Sequence, residues 1–321
     1  MRALVTGVAG FIGSMLAEAL VDRGDDVLGV DCLTPYYGEQ DKRANIRPLL
    51  DSDRFTFEPA DLRDCDLAPL LEGADVVFHL AAQPGVRLSW ADFDEYASCN
   101  ILATQRLLDA AKSRELRRLV YASSSSVYGN AAAYPTAETA GTCPHSPYGV
   151  TKLAAEHLCM AYAANWGVPT VSLRYFTVYG PRQRPDMAMH RLIAAAIGRE
   201  AFPLYGSGEQ VRDFTFVADV VRATIRAGDA DVPPGTVLNV AGGSSISMND
   251  LVVLVGAICG AAVDVVRLPG QAGDVRRTGG TTTRARELLG WQPEIDLVSG
   301  VTEQLAWHRS RERPSEIIRL A

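Results

Sequence analysis

The sequence predicts an α/β protein in which a doubly wound parallel sheet precedes a smaller C-terminal α/β domain. Three features support this fold class. The first apolar strand runs directly into a glycine-rich turn and a helix. Short apolar strands then alternate with helical segments as far as about residue 178, the pattern of repeated βα units. Beyond Gly180 the chain changes to arginine-rich loops and separate helices, which suggests a second structural unit.

The glycine-rich turn, Gly7-Val8-Ala9-Gly10-Phe11-Ile12-Gly13, connects the predicted strand Arg2–Thr6 to helical periodicity over Ser14–Val21. A dinucleotide pyrophosphate needs this arrangement. The first glycine permits a tight turn, the second lets the backbone approach the phosphates, and the third lets helix and strand pack closely. The alternative is an ordinary βαβ unit whose turns happen to contain glycine.

Asp31 ends the second predicted strand, Val27–Val30. A carboxylate at this position can accept hydrogen bonds from both ribose hydroxyls of NAD, and it would repel the 2′-phosphate of NADP. The sequence therefore predicts NAD as the cofactor.

Two later strands are expected to approach the same ligand. Phe55–Glu58 is followed by Asp61-Leu62, a candidate adenine contact. The buried strand Asp75–Leu80 ends in Ala81-Ala82-Gln83, whose small residues suit close passage beneath a ligand. His79 lies inside this strand, so we interpret it as a hydrogen-bonded core histidine and not as a catalyst.

A serine run, Ser123–Ser126, follows the predicted helix Asn100–Ala111 and strand Arg118–Ala122. Serine runs are usually flexible loops. This one is bounded by a buried strand and by Val-Tyr-Gly, which favours a rigid turn carrying hydroxyl groups at the carboxyl edge of the sheet, where α/β sheets bind ligands. The next strand, Thr170–Tyr175, is expected to end at the same edge.

Tyr148 and Lys152 stand four residues apart on a predicted helix opened by Pro147, so both project from one face. A phenol is a weak base because its reference pKa is about 10. An ammonium group one turn away, with a second positive charge nearby, would favour the phenolate and make Tyr148 a candidate general base. Taken alone, the pair could also belong to an ordinary amphipathic helix.

Arginines are concentrated after Gly180, where Arg182, Arg184, Arg191 and Arg199 flank a predicted helix over Met187–Ile197. Guanidinium groups in loops suit bidentate binding of phosphate or carboxylate. The remaining predicted elements are a strand, Leu238–Ala241, and helices over Met248–Cys259, from Thr283, and over Leu297–Arg309.

Charge and cysteine content restrict the class of protein. The net charge of −7 over 321 residues argues against non-specific binding of nucleic acid. The six cysteines are scattered without a Cys-x-x-Cys pair, so we expect reduced thiols and no metal site. No apolar run is long enough to span a bilayer, and we expect no signal peptide. These features predict a cytoplasmic protein without a membrane partner.

The order of the motifs, from the Gly-x-x-Gly-x-x-Gly turn through Tyr148-x-x-x-Lys152 to Arg174-Tyr175-Phe176, resembles the extended short-chain dehydrogenases/reductases that act on nucleotide sugars. The resemblance covers essentially the whole chain. It implies a seven-stranded Rossmann sheet that holds NAD over residues 1–178, joined by about 210–241. Residues 179–209 and 242–321 would form a domain that binds the sugar nucleotide. It also implies a homodimer formed through helices near Ala97–Ala111 and Ser146–Trp166.

Subclasses of this family differ at recognisable positions. The 4,6-dehydratases carry Asp-Glu where this chain has Ser125-Ser126, and the decarboxylases that make UDP-xylose carry Glu at the position of Ser126. UDP-glucose 4-epimerases usually read Arg-Tyr-Phe-Asn, from which Thr177 departs. The segments Gln83–Arg87, Phe176–Ala188 and Gln271–Val275 are similar to UDP-glucuronic acid 4-epimerases.

The resemblance implies an isomerase that interconverts UDP-glucuronic and UDP-galacturonic acid through a 4-keto sugar. Tyr148 would take the 4-hydroxyl proton, Lys152 would stabilise its phenolate, and Ser124 would hydrogen-bond the 4-oxygen, with Ser125 as the alternative serine. The residues implied for NAD binding are Gly7, Gly10, Phe11, Ile12, Gly13, Asp31, Asp61, Leu62, Leu80, Ala81, Ala82, Gln83, Tyr148, Lys152 and Tyr175.

The UDP-sugar would be held by the second part of the chain. Arg191 and Arg212 are expected at the diphosphate and Asp274 towards uridine, while Arg87, Thr177 and Arg184 are candidates for the C6 carboxylate, with Ser125 also at the sugar. Other functions stay open. The substrate could be UDP-glucose or UDP-N-acetylglucosamine, the outcome could be net oxidoreduction, decarboxylation or dehydration, or the chain could bind NAD without turnover.

Overall fold

We analysed a computed structural model, in which residues 1–311 are described. These residues contain twelve strands: β1 Arg2–Thr6, β2 Asp26–Val30, β3 Phe55–Glu58, β4 Val76–His79, β5 Arg118–Ser124, β6 Thr170–Tyr175, β7 Val178–Tyr179, β8 Phe202–Tyr205, β9 Val211–Phe216, β10 Thr236–Val240, β11 Ser244–Ser247 and β12 Val265–Leu268. The helices are α1 Phe11–Arg23, α2 Glu39–Ile46, α3 Phe93–Ala97, α4 Ala103–Ala111, α5 Pro147–Trp166, α6 Ala188–Gly198, α7 Val217–Asp229, α8 Met248–Cys259, α9 Thr283–Leu289 and α10 Leu297–Arg311.

The main sheet has seven strands in the order β10-β6-β5-β4-β1-β2-β3, and all of its pairs are parallel. From β1 the chain builds outward through β2 and β3, and then returns to place β4 on the other side of β1. This reversal is the point at which doubly wound sheets bind ligands, at the carboxyl ends of the strands. The predicted fold class is confirmed.

Alternate residues of the central strands enter different cores. Val5, Phe78 and Val120 pack in one cluster with residues of α1 and α7, whereas Val77 and Leu119 pack in another with residues of α4 and α5. Helices cover both faces of the sheet, so its strands are apolar on both sides and read as continuous apolar runs. His79 is 1% exposed and lies between two threonine hydroxyls, which confirms its interpretation as a hydrogen-bonded core residue.

The predicted helix over Asn100–Ala111 differs from the structure. Residues 98–102 form a wider turn with i→i+5 geometry, and α4 begins only at Ala103. Asn100 lies in this turn, 1% exposed, and its side chain exchanges hydrogen bonds with the backbone of Gln83 at 2.7 and 3.1 Å. Wide turns inside helices often mark functional sites, and here the turn fixes a loop that borders the sheet edge.

Beyond residue 178 the chain forms two small sheets, β11-β9-β7 and β12-β8, while β10 rejoins the main sheet. The predicted division into two domains stays a prediction, and its last ten residues, 312–321, lie outside the described residues. Within residues 1–311, no helix is long and apolar enough to cross a membrane.

Candidate active site

Two adjoining cavities open at the carboxyl edge of the main sheet. Every residue predicted to bind NAD lines the first cavity. The second cavity is lined by the serine turn and by loops from the later part of the chain. Tyr148, Tyr175 and Arg184 line both, so these side chains stand where the two cavities meet.

The glycine turn fits a dinucleotide because it has no room for side chains. Gly7 has a φ of +71°, and a Cβ there would lie 2.7 Å from the backbone nitrogen of Ala81. A Cβ on Gly13 would lie 2.1 Å from the carbonyl oxygen of Gly7. The turn therefore packs directly against the end of β4 and against the start of α1, as the spacing of its glycines predicts.

Asp31 is held in place at the end of β2. Its carboxylate accepts backbone hydrogen bonds from Ala9, at 3.1 Å, and from Leu33, at 2.7 Å. The ammonium of Lys42 lies 3.5 Å from the same carboxylate and is 9% exposed. Lys42, on α2, also lines the first cavity, and nothing in its sequence context had indicated this position.

Tyr148 lies in the first turn of α5, which begins at Pro147 and is capped by the Ser146 hydroxyl accepting from the Gly149 amide at 3.1 Å. Burial raises the pKa of Tyr148, while the positive charge of Arg184 and the nearby Ser124 hydroxyl oppose that rise. A phenol with these two neighbours can hold a proton or release it to a bound acceptor at the same place, as a general acid–base group requires.

Lys152, one helical turn beyond Tyr148, is bound by the backbone of β5. The residue is 4% exposed, and its ammonium donates to the carbonyl of Ala122 at 2.7 Å. Burial lowers the pKa of Lys152 to about 7. The positive charge of Arg184 opposes the rise in the pKa of Tyr148, and the stabilisation of the phenolate by Lys152 stays a prediction.

The second cavity brings together most of the predicted substrate residues. Its lining includes Arg87, Ser124, Ser125, Thr177, Arg184, Arg212 and Asp274. Arg87 lies over the ring of Tyr205, with 3.9 Å between the guanidinium carbon and the ring centroid. Arg212 forms an ion pair with Asp274, so the groups predicted for the diphosphate and for uridine contact each other. Arg191, on α6, lies outside the described lining of both cavities, and its assignment to the diphosphate stays a prediction.

A buried ion pair, which the sequence analysis did not predict, contacts the serine turn through hydrogen bonds. Arg174, on β6, donates to both carboxylate oxygens of Glu156, on α5, at 2.6 and 3.0 Å. The same carboxylate accepts from the Ser123 hydroxyl at 2.7 Å, and Arg174 also donates to the Tyr128 hydroxyl at 2.7 Å. Both ends of the turn are thus tied to one network. The spacing of Tyr148, Lys152 and Glu156 at four-residue intervals was the available signal.

This glycine turn, the acidic end of β2 and a tyrosine–lysine helix beside the cavity define an NAD-dependent enzyme of the extended short-chain dehydrogenase/reductase type. Residues 3–241 match the sequence profile of the NAD dependent epimerase/dehydratase family. The chain belongs to this family, and NAD is its cofactor.

Two relatives with assigned names are similar to this chain over almost their whole length. The chain is 42% identical to "Uncharacterized UDP-glucose epimerase YtcB" of Bacillus subtilis over 96% of this chain and 98% of that protein. It is 37% identical to a UDP-glucose 4-epimerase of Mycolicibacterium smegmatis over 98% and 100% of the two chains.

Among solved structures, UDP-glucuronic acid 4-epimerase of Bacillus cereus, in complex with UDP-glucuronic acid and NAD, is 40% identical and superposes with a TM-score of 0.94, covering 97% of this chain and 100% of that one. The Mycolicibacterium smegmatis and Bacillus cereus proteins are named as UDP-sugar 4-epimerases, which are isomerases, and the predicted enzyme class is confirmed.

Proposed function

We propose that the protein interconverts UDP-glucuronic acid and UDP-galacturonic acid by inverting C4 of the sugar. The observation that carries this proposal is the position of Arg184. Its guanidinium lines the cavity of the serine turn and Thr177, and its charge acts on the Tyr148 phenol. A cation at that place suits a sugar that carries a carboxylate next to the reacting carbon.

In this mechanism Tyr148 accepts the proton of the 4-hydroxyl and later returns it. Ser124 hydrogen-bonds the 4-oxygen, with Ser125 as the alternative, and the charge of Arg184 favours the phenolate. Lys152, held by the Ala122 carbonyl in the lining of the first cavity, would stabilise the phenolate. Bound NAD supplies reversible oxidation at C4, so no cofactor is consumed. Binding of NAD would fall to the residues that line the first cavity, from the glycine turn to Tyr175.

The UDP part would lie in the second cavity between Arg212 and Asp274, while Arg87 stays a candidate for the C6 carboxylate. Asp274 belongs to the predicted sugar-nucleotide domain, whereas Arg212 lies in the segment of about 210–241 that was predicted to join the NAD-binding domain. When the substrate enters, Arg212 must either bind the diphosphate and Asp274 together or release Asp274.

Purified protein incubated separately with UDP-glucuronic acid and UDP-glucose tests the proposal. We expect UDP-galacturonic acid to appear from the first substrate without net accumulation of NADH. Conversion of UDP-glucose alone would support the second candidate, a UDP-glucose 4-epimerase, which the name of the Mycolicibacterium smegmatis relative favours.

Arg184→Ala is expected to reduce the preference for UDP-glucuronic acid over UDP-glucose by about 10- to 100-fold in kcat/KM. A carboxylate that enters the cavity needs donors of comparable strength to the water that it loses, and Arg184 with Thr177 can supply them. Parallel assays with both substrates measure the effect. If kcat/KM falls equally for both substrates, Arg184 stabilises the fold or binds the diphosphate, and the reason for choosing a uronate is lost.

We also propose a homodimer that pairs α4 and α5 with the same helices of a second copy. Leu102, Met160 and Trp166 are 58%, 40% and 55% exposed on or beside these helices. Exposed apolar side chains on adjacent helices are typical of a self-complementary interface. Light scattering on the NAD-loaded protein should give twice the chain mass. A monomeric mass at micromolar concentration would contradict this proposal.

A further inference from the structure

Arg184 is already paired with a carboxylate of the protein. Its Nε and Nη2 donate to the two oxygens of Asp186 at 3.0 and 3.1 Å, a bidentate ion pair. The Arg184 side chain is 17% exposed and that of Asp186 40% exposed. Both residues line the second cavity, so the pair lies within the site proposed for the sugar.

Tyr36 reinforces this pair from the other side of the site. Its hydroxyl donates to Asp186 at 3.5 Å, and its ring centroid lies 5.8 Å from the guanidinium carbon of Arg184. Tyr36 belongs to the loop between β2 and α2 and lines both cavities. Asp186 is thus held beside Arg184 by an aromatic ring and a hydroxyl, in addition to its own ion pair.

We propose that Asp186 is a specificity-determining residue, because it competes with the carboxylate of the substrate for Arg184. This inference rests on the proposed function. A neutral hexose can enter while Arg184 keeps its partner, so that no buried charge is left unpaired. A uronate must share the guanidinium with Asp186, which places two negative charges on one cation, and like charges in close contact oppose binding.

The guanidinium still has donors for a second carboxylate. Nη1 has no hydrogen-bond partner among residues 1–311, while Nε and Nη2 serve Asp186. A substrate carboxylate can therefore bind at the Nη1 side without expelling Asp186. In that arrangement Asp186 lowers the affinity for the uronate and leaves the affinity for the hexose nearly unchanged. The preference of the enzyme between the two substrates then depends on the charge of Asp186 as well as on Arg184.

Asp186→Asn tests this inference, because it removes the negative charge and keeps an oxygen that can accept from Arg184. We expect the ratio of kcat/KM for UDP-glucuronic acid over UDP-glucose to rise about 5- to 10-fold, mainly through a lower KM for the uronate. If Asp186 contributed only to folding, the substitution would change kcat/KM for both substrates by the same factor.

The matched control is Asp274→Asn. Asp274 is 42% exposed, is paired with Arg212, and lines the same cavity, so the two substitutions change the net charge equally. Since the two substrates share the UDP part, this variant should change kcat/KM for both substrates by the same factor. A ratio that is unchanged or lower in Asp186→Asn, or that rises equally in Asp274→Asn, would overturn the inference.

Titration calorimetry separates this inference from the proposed function. Each substitution is placed in a Tyr148→Phe background loaded with NAD, so that the substrate is not converted during the titration. If the protein with Tyr148 intact binds UDP-glucuronic acid but does not epimerise it, the proposed function fails. A rise in the ratio of the two affinities in the Tyr148→Phe background would still support the role of Asp186 in specificity. If the affinity ratio does not respond to Asp186→Asn, the inference fails whatever the enzyme turns over.

Discussion

Tyr148→Phe is expected to lower kcat by about 10²- to 10⁴-fold, a loss of roughly 3 to 5 kcal/mol of transition-state stabilisation. The substitution keeps the ring and its edge-to-face contact with Tyr96, whose centroid lies 6.3 Å away. It removes the only atom of the side chain that can exchange a proton with the 4-hydroxyl. Folding and NAD content should stay near those of the parent, as measured by circular dichroism and by cofactor released on denaturation.

Tyr96→Phe is the control for this experiment. Tyr96 is 1% exposed, and its hydroxyl donates to the carbonyl of Pro84 at 2.7 Å. Its loss removes a hydrogen bond next to the site without removing the proposed base, so we expect a small change in kcat. Turnover of Tyr148→Phe within a few-fold of the parent would show that another group carries the proton.

The parts of the site that depend on local sequence were predictable. The spacing of the three glycines predicted close contacts at Gly7 and Gly13. At each position the backbone of another segment comes so near that a side chain would not fit. The position of Asp31 at the end of β2 followed from the apolar run before it. These features are properties of a strand, a turn and a helix that are adjacent in the chain.

The electrostatics of the site depend on contacts between distant segments. Lys152 was predicted to act on Tyr148 because they share one helical face, and the contact of its ammonium with the Ala122 carbonyl could not be predicted from that spacing. Arg184, 36 residues after Tyr148, contributes a positive charge that opposes the rise in the pKa of this phenol. Its pairing with Asp186 and the pairing of Arg212 with Asp274 depend on how loops fold over the cavity, which periodicity does not encode.

The Glu156–Arg174 pair was missed for a related reason. Glu156 reads as one more polar residue on an amphipathic helix, and Arg174 as a charged residue near the end of a strand. Only the packing of α5 on β6 makes them partners, with side chains 1% and 6% exposed. Buried charges of this kind are retained only where each is paired and hydrogen-bonded.

Glu156→Gln is therefore expected to lower the free energy of unfolding by about 3 to 5 kcal/mol, because it leaves the guanidinium of Arg174 buried without its counter-charge. Glutamine has one acceptor oxygen where glutamate has two, so its NH2 group would face a donor of Arg174 in place of the second carboxylate oxygen. Since Ser123 begins the turn that carries Ser124, kcat should fall as well. Urea unfolding of the NAD-loaded protein measures the first effect, and steady-state assays measure the second.

Glu39→Gln provides the matched comparison, because Glu39 is paired with Arg43 one helical turn away and is 53% exposed. An exposed pair of this type contributes only about 0.3 to 0.5 kcal/mol. The same chemical change is thus made once in a buried network and once on the surface. If the two variants unfold at similar urea concentrations, the buried pair contributes no more than a surface pair, and the serine turn must be held by its own hydrogen bonds, such as that from the Ser126 amide to the Ser124 hydroxyl at 3.1 Å.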